Sequence, residues 1–379
     1  MQDPHRLKVL DGFRAIAILM VIGFHYFVRW TPPMSPVNLY PYGGVGSRFW
    51  VFEYGYLGVE LFFIISGFVI SMTLFRCRTI GQFALKRFAR LFPTMLLCSV
   101  LTFVFVAVLP QSAFNPQLRD FLPSLSFTDP FIWSKLFGGD FKAIDGSYWS
   151  LAVEVKFYLW ISLLYFSAGG PRFFRSAAWL FGALVTASVL MRVLNVPHRW
   201  GLDFIFALDA LPWFVAGIGF FALYRDHASR IGWVLLAEAA LALLALQMTD
   251  PAASSLAPLA ALPLFYGLFL AMLLRPGWVA WLASPPLAAV GVASYSLYLL
   301  HQDVGVAVLH AFQGALGTGH PALSALLVPL VTGALIGMSL LIYRYWEAPS
   351  RDFLLALRAA RPEPLNPAPL TNRPDVDVR

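Results

Sequence analysis

The sequence predicts an all-α, polytopic integral membrane protein with about ten transmembrane helices, and three observations carry that reading. Of its 379 residues, 59% are apolar and only 12% are charged, about half the charged share of an ordinary soluble domain. Mean hydropathy is +0.70. The apolar residues fall in runs of roughly 17 to 25 separated by short charged segments, the length a helix needs to cross a bilayer. A chain of this length would otherwise make two or three soluble domains, but it has too few charges to cover their surfaces.

Composition excludes other classes. The net charge of +7 suits a nucleic-acid partner in sign only, because the basic residues flank apolar helices and form no stripe with interleaved aromatics. The 12 Trp, 14 Tyr and 34 Phe fit lipid-facing surfaces and interfacial belts. Cys77 and Cys98 read as inert thiols, with neither a disulfide framework nor metal-ligand spacing, so no metal is expected.

In chain order, the expected spans are 12–30, 57–74, 91–110, 148–166, 177–194, 203–223, 231–248, 256–274, 287–312 and 322–343. The first follows "MQDPHRLKVLDGFR", which has no small-residue cleavage site after it, so it reads as a retained helix and not a signal peptide. Threading the chain through these spans puts 19 Lys and Arg on the side of the N-terminus and seven on the other, with Lys156 inside a span. The positive-inside rule then places both termini in the cytoplasm, in the cell inner membrane. The connections 31–56 and 111–147 are long enough to fold over a cavity mouth. Residues 7–350 read as one membrane domain. Residues 351–379 read as a cytoplasmic Pro-rich tail, amphipathic at "RDFLLALRAARP" and disordered beyond it.

Charges at membrane depth are costly and mark function. Arg14 and His25 are 11 residues apart, about 1100° of helix rotation and so within ~20° of three full turns, with a rise of roughly 16 Å. Both are therefore expected to face one interior channel. The alternatives are a headgroup anchor for Arg14 and an interfacial histidine for His25. Glu60 enters the second span at a depth like that of His25, where a carboxylate needs a partner. A His25–Glu60 couple would orient the imidazole as a general base; the alternative is a Glu60 bonded to backbone or Trp. Ser66 and Gly67 read as a close-packing site and not a nucleophile.

Lys86, Arg87 and Arg90 form a basic cluster at the entry of the third span, and residues 61–119 contain no Asp or Glu to balance it. The cluster can neutralise a phosphorylated ligand or simply anchor orientation. In the fourth span, Ser150, Glu154 and Tyr158 recur every four residues and share a face, with Glu154 expected to line a cavity. In the ninth, Ser294, Tyr298 and His301 form one stripe beside Gln302 and Asp303; His301 either contacts substrate or bonds a neighbouring helix. Glu347, in the closing "YRYWEAPS", is expected to pair with a neighbouring Arg.

Six blocks in order, "LDGFRAIAILMVIGFHY", "GVELFFIISGFVI", "FALKRFARLFPTM", "YWSLAVEVKFYLW", "SYSLYLLH" and "YRYWEAPS", resemble the membrane-bound acyltransferase 3 family over essentially residues 7–350. The resemblance implies an O-acyltransferase that moves an acyl group, often acetyl, from cytoplasmic acyl-CoA to a hydroxyl of a cell-surface glycan, lipid-linked sugar or secondary metabolite. It assigns the family's Arg and His to Arg14 and His25, its second-helix Glu to Glu60, and its basic donor motif to Lys86, Arg87 and Arg90. Some members append an extracytoplasmic esterase-like domain; here only the Pro-rich tail follows the last span.

Together these readings make acyl-CoA a co-substrate, with no permanently bound cofactor, and put its phosphates near Lys86, Arg87, Arg90 and Arg14. His25 would be the base, either directly or through an acyl-His25 intermediate. Glu154, Tyr158, Tyr298 and His301 would line the substrate cavity. The expected partners are acyl-CoA, a carbohydrate or other hydroxyl acceptor and the bilayer, without nucleic acid. The rival classes are a transporter or flippase of lipid-linked sugars, which needs no phosphate-sized basic mouth joined to an imidazole, and a non-catalytic membrane scaffold.

Overall fold

In a computed structural model, the structure describes residues 4–31, 34–35, 49–109, 114–196, 200–249, 255–316 and 321–359. The expected tail beyond 359 and most of the connection 31–56 lie outside the described residues.

The long helices are α1 (Pro4–Phe24), α2 (Gly58–Leu74), α3 (Ile80–Val108), α4 (Trp149–Ala168), α5 (Phe173–Val193), α6 (Leu211–Arg225), α7 (Arg230–Thr249) and α8 (Ala257–Leu274). Three shorter pieces follow, α9 (Pro285–Val292), α10 (Ser294–Leu300) and α11 (Asp303–Leu316). The chain closes with α12 (Pro321–Ile342) and α13 (Ala348–Ala359). The described residues contain no strand, and nine helical stretches are long and apolar enough to cross a membrane. The protein is an all-α polytopic membrane protein.

Local chemistry sets the helix ends. Thr79 caps α3 by accepting from the Gln82 amide at 3.2 Å, and Asp145 does the same for the turn into α4, accepting from the Ser147 amide at 2.7 Å. Two helices widen by one residue per turn: α1 at His25–Arg29 and α12 at Tyr343–Glu347. Such π turns shift the register of the side chains that follow and frequently sit at functional sites. Helix α13 continues α12 through the second π turn, so no break occurs at 350.

The helices α2 and α6 approach closely because two glycines face each other. A Cβ on Gly67 would collide with the Phe214 carbonyl, and one on Gly217 with the Ile64 carbonyl. Small residues at such a crossing replace the hydrophobic driving force, which lipid does not supply. The Phe63 and Phe157 rings stack on Phe214 beside it, at centroid distances of 4.6 and 4.1 Å. Gly67 thus fills the packing role read from the sequence.

The expected single span 287–312 is broken instead. Ala293 departs from helical geometry between α9 and α10, and His301–Gln302 separates α10 from α11. The break persists because side chains take over the opened backbone groups. The Asp303 amide donates to Asp145 Oδ2 at 2.9 Å. The Leu299 carbonyl accepts from the Tyr148 hydroxyl at 3.2 Å and the His301 carbonyl from the Tyr26 hydroxyl at 2.7 Å. Non-helical backbone at membrane depth is tolerated only where protein satisfies it in this way.

Between α3 and α4, residues 114–146 form an organised cover. Asp120 accepts from the backbone amides of Gln117 at 2.8 Å and Lys142 at 3.0 Å. Ser124 accepts from the Ile144 amide at 2.9 Å. This cover caps one end of the bundle; the entry of α3 and the π turn of α12 lie at the other.

Candidate active site

A cavity of about 190 Å³ lies between α1, α2, α3, α4 and α10. Its lining includes Arg14, Arg87, Arg90, Glu154, Tyr158 and Tyr298, which the sequence singled out, and Tyr295, which it did not. Helix α4 supplies Ser150, Glu154 and Tyr158 at one-turn intervals, the spacing that puts side chains on one face. Helix α2 presents Val59, Phe62, Phe63, Ser66, Val69 and Ile70. Ser66 donates to Glu154 Oε1 across the cavity, so this serine is tied to the carboxylate.

The three arginines differ in their partners. Arg14 pairs with Asp11 one turn earlier at 2.6 Å. Arg90 forms an ion pair with Glu347, on the π turn after α12, the kind of pairing expected for that glutamate. Arg87 donates to the neutral Thr73 hydroxyl at 3.2 Å, and its guanidinium lies 5.9 Å from the Tyr158 ring. Its buried Nε has no hydrogen-bond partner among the described residues. Arg87 is therefore the arginine with capacity left for an anion. Lys86 does not line this cavity.

Behind Tyr298 stand two histidines. The Tyr298 and His301 rings are 5.3 Å apart, and the His301 and His25 rings 4.9 Å apart and nearly perpendicular. His301 Nδ1 is 2.7 Å from the Tyr298 carbonyl and His25 Nδ1 is 3.0 Å from the Val21 carbonyl. A carbonyl only accepts, which assigns the proton to Nδ1 of each ring and leaves each Nε2 a lone pair. His301 Nε2 then lies 3.3 Å from His25 Nδ1, placed to share its proton. This leaves His25 Nε2 as the basic nitrogen. The Gln302 side chain also hydrogen-bonds the His25 ring.

Arg14 and His25 do not face one channel as expected: Arg14 lines the basic cavity and His25 does not. His25 stands two rings back from the wall, behind His301 and Tyr298. Glu60 is not beside His25. It lines a separate cavity of about 180 Å³ with Arg192 and Asp209, and its Oε2 has no hydrogen-bond partner among the described residues. Rotation explains the difference: Glu60 is six residues from Ser66, roughly 600°, which points it about 120° away from the cavity face of α2. The imidazole is held by Val21, His301 and Gln302 instead. Lys156, expected on another face, donates to the Phe204 carbonyl at 3.0 Å.

Sequence reasoning assigned no role to Asp145, Ser147 or Gln302. Asp145 is fully buried and holds the α10–α11 break; an acidic residue two before Ser147 at a span entry is the signal of such a cap. Gln302 is uncharged, so its depth carried no warning.

The chain is 29% identical over 181 residues to the O-acetyltransferase OatA of Staphylococcus aureus, which covers 43% of this chain and 25% of that protein. It is 26% identical over 166 residues to the peptidoglycan O-acetyltransferase OatA of Listeria monocytogenes, covering 40% and 22% respectively. It is 26% identical over 212 residues to the putative peptidoglycan O-acetyltransferase YrhL of Bacillus subtilis, covering 52% and 30%. The matched region thus spans about a quarter of these relatives' length. No solved structure matches the chain. The profile of the acyltransferase domain family matches residues 7–344, taking in α1 through α12 and every residue lining the basic cavity, and the chain belongs to that family.

Proposed function

We propose that the protein is an O-acyltransferase of the inner membrane, with both termini cytoplasmic, that moves an acyl group from acyl-CoA to a hydroxyl of a cell-surface glycan, a lipid-linked sugar or a secondary metabolite. Acetyl is the simplest donor group, in keeping with the names of the relatives. The observation that carries the reading is the convergence of Arg14, Arg87 and Arg90 on one cavity whose far wall, Tyr298, backs onto the His301–His25 pair.

The donor's phosphates would meet Arg87 first, since Arg90 and Arg14 already hold carboxylates. A guanidinium binds phosphate oxygens in a fork, which fixes direction as well as charge. Chemistry then needs only a base and a positioned thioester. His25 Nε2 takes the proton from the acceptor hydroxyl, and that oxygen forms a bond to the acyl carbon. The carbon–sulfur bond breaks, and the departing CoA thiolate recovers the proton from the imidazolium. The Val21 carbonyl and His301 Nε2 hold the opposite ring edge throughout and disperse the transient charge. The 19 to seven split of basic residues between the two sides supports donor entry from the cytoplasm.

The test is label transfer from acetyl-CoA to extracted surface glycans by purified protein in liposomes. His25→Ala should lower turnover per folded molecule by at least about 10²-fold, the usual cost of a lost general base. Near-normal turnover in folded His25→Ala would remove His25 from the chemistry.

A further inference from the structure

A second and larger cavity, about 560 Å³, lies under the 114–146 cover and has Leu151 in common with the basic cavity. Its volume is that of a small-molecule site. Aromatic rings, among them Trp30, Phe127, Phe141 and Trp149, form part of its wall, and its polar lining includes Gln302 and Asp303. Two features point to a ligand. The Trp30 indole N–H is buried without an acceptor among the described residues, a group that a ligand oxygen would satisfy. Gln302 touches both the cavity and the His25 ring, and its amide is held in place by donating to Asp303 Oδ1 at 3.0 Å.

We propose that this cavity binds the acceptor as an uncharged pyranose ring; this rests on the acyl-transfer reading. The ring's apolar face packs on the aromatic wall, one ring substituent accepts from Trp30, and the reacting hydroxyl is held by Gln302 and delivered to His25 Nε2. Its proton passes to His25 as its oxygen takes the acyl carbon from the thioester sulfur of acyl-CoA. Charge sets the preference for a neutral sugar. Asp120, Asp129 and Asp303 line the cavity against the single cation Lys142, whose ammonium is held by Asp140 at 3.3 Å. Arg29 and Arg119 stand over the Trp30 and Phe141 rings, at 4.8 and 5.7 Å from their centroids, but neither is part of the lining, where an anionic sugar would meet more carboxyl groups than cations.

The experiment has two arms on the full chain in detergent. The first measures equilibrium binding of a neutral N-acetylglucosamine disaccharide, and of a glucuronate-containing one, with no donor present. Saturable binding is expected for the neutral probe and much weaker binding for the anionic one. Trp30→Phe keeps the ring and deletes the N–H, and should weaken neutral binding about 2- to 10-fold, the worth of one hydrogen bond. Phe141→Ala should weaken it by a similar factor. The second arm measures transfer from acetyl-CoA, where both variants should raise the acceptor KM and leave the donor KM unchanged. Binding that follows the variants while no transfer occurs would keep the sugar site and reject the acyltransferase reading. Unaltered binding in both folded variants, no binding of the neutral probe, or equal binding of the anionic one would overturn the proposal.

Discussion

Arg87 and Arg90 lie three residues apart on α3 and line the same cavity, yet their removal should have opposite consequences. Arg90 is paired with Glu347, whose side chain is 1% exposed. Replacing Arg90 with Gln leaves that buried carboxylate without its counter-charge, a defect worth about 3–5 kcal/mol of stability. Replacing Glu347 with Gln as well removes both charges and should recover most of the loss, because breaking a buried pair costs far more than deleting it. Among the described residues Arg87 holds a hydroxyl and no carboxylate, so Arg87→Gln strands no charge there. Its cost should fall on the donor: one charge-assisted contact of about 1.5–3 kcal/mol, or roughly 10- to 150-fold in the Kd for acetyl-CoA. The buried thiols of Cys77 and Cys98 supply the stability assay, since a thiol-reactive dye reports their exposure as the protein is heated. Donor affinity is read by isothermal titration on the same preparations. Arg90→Gln should lower the melting temperature strongly, the Arg90→Gln/Glu347→Gln double variant should restore it, and Arg87→Gln should melt like the parent while binding donor weakly. Equal melting losses for the two single variants, or no recovery in the double, would refute the division of labour between these arginines.

Two further outcomes follow from the geometry. Glu60→Gln should leave transfer per folded molecule within about twofold of the parent, because Glu60 faces Arg192 and Asp209 in another cavity; a loss of about 10²-fold, the scale of a missing base, would reconnect it to His25. Compartment reporters fused at 140 and 358 should report opposite sides, as expected if the three pieces from Pro285 to Leu316 together cross once; the same side for both would mean that the broken segment does not cross.

How much of this was legible in the sequence depends on what each residue costs where it sits. Arg14, Arg87, Arg90, Glu154 and Tyr298 stand out because a charge or hydroxyl in an apolar run is expensive without a purpose. The helical period alone puts Ser150, Glu154 and Tyr158 on one wall. Depth could be read in this way, but azimuth between helices could not. Glu60 and His25 reach similar depths on neighbouring helices, yet nothing in either segment fixes the rotation of one against the other. The break at His301–Gln302 was hidden for a related reason. Residues 287–312 are continuously apolar enough to read as one span, while the groups that sustain the break, Tyr26, Asp145 and Tyr148, lie more than 150 residues away in sequence.

On the proposed reading, that break lets the two cavities act as parts of one site. An unbroken helix would keep the Tyr298, Leu299 and His301 carbonyls in intrahelical bonds. With the chain interrupted at His301–Gln302, adjacent residues serve different spaces: His301 stacks behind Tyr298 of the basic cavity, while Gln302 lines the aromatic one and reaches His25. A highly charged donor would then stay at the arginines, where its phosphates are compensated, and the proposed sugar would stay under the cover. Only an acyl carbon, a hydroxyl oxygen and one proton have to meet at the partition. Neutral imidazoles suit that meeting place, because their charge exists only while the proton is in transit and is shared when it does. The membrane-depth placement of the histidines, costly for a permanent ion, is therefore consistent with a base that is neutral at both ends of the reaction.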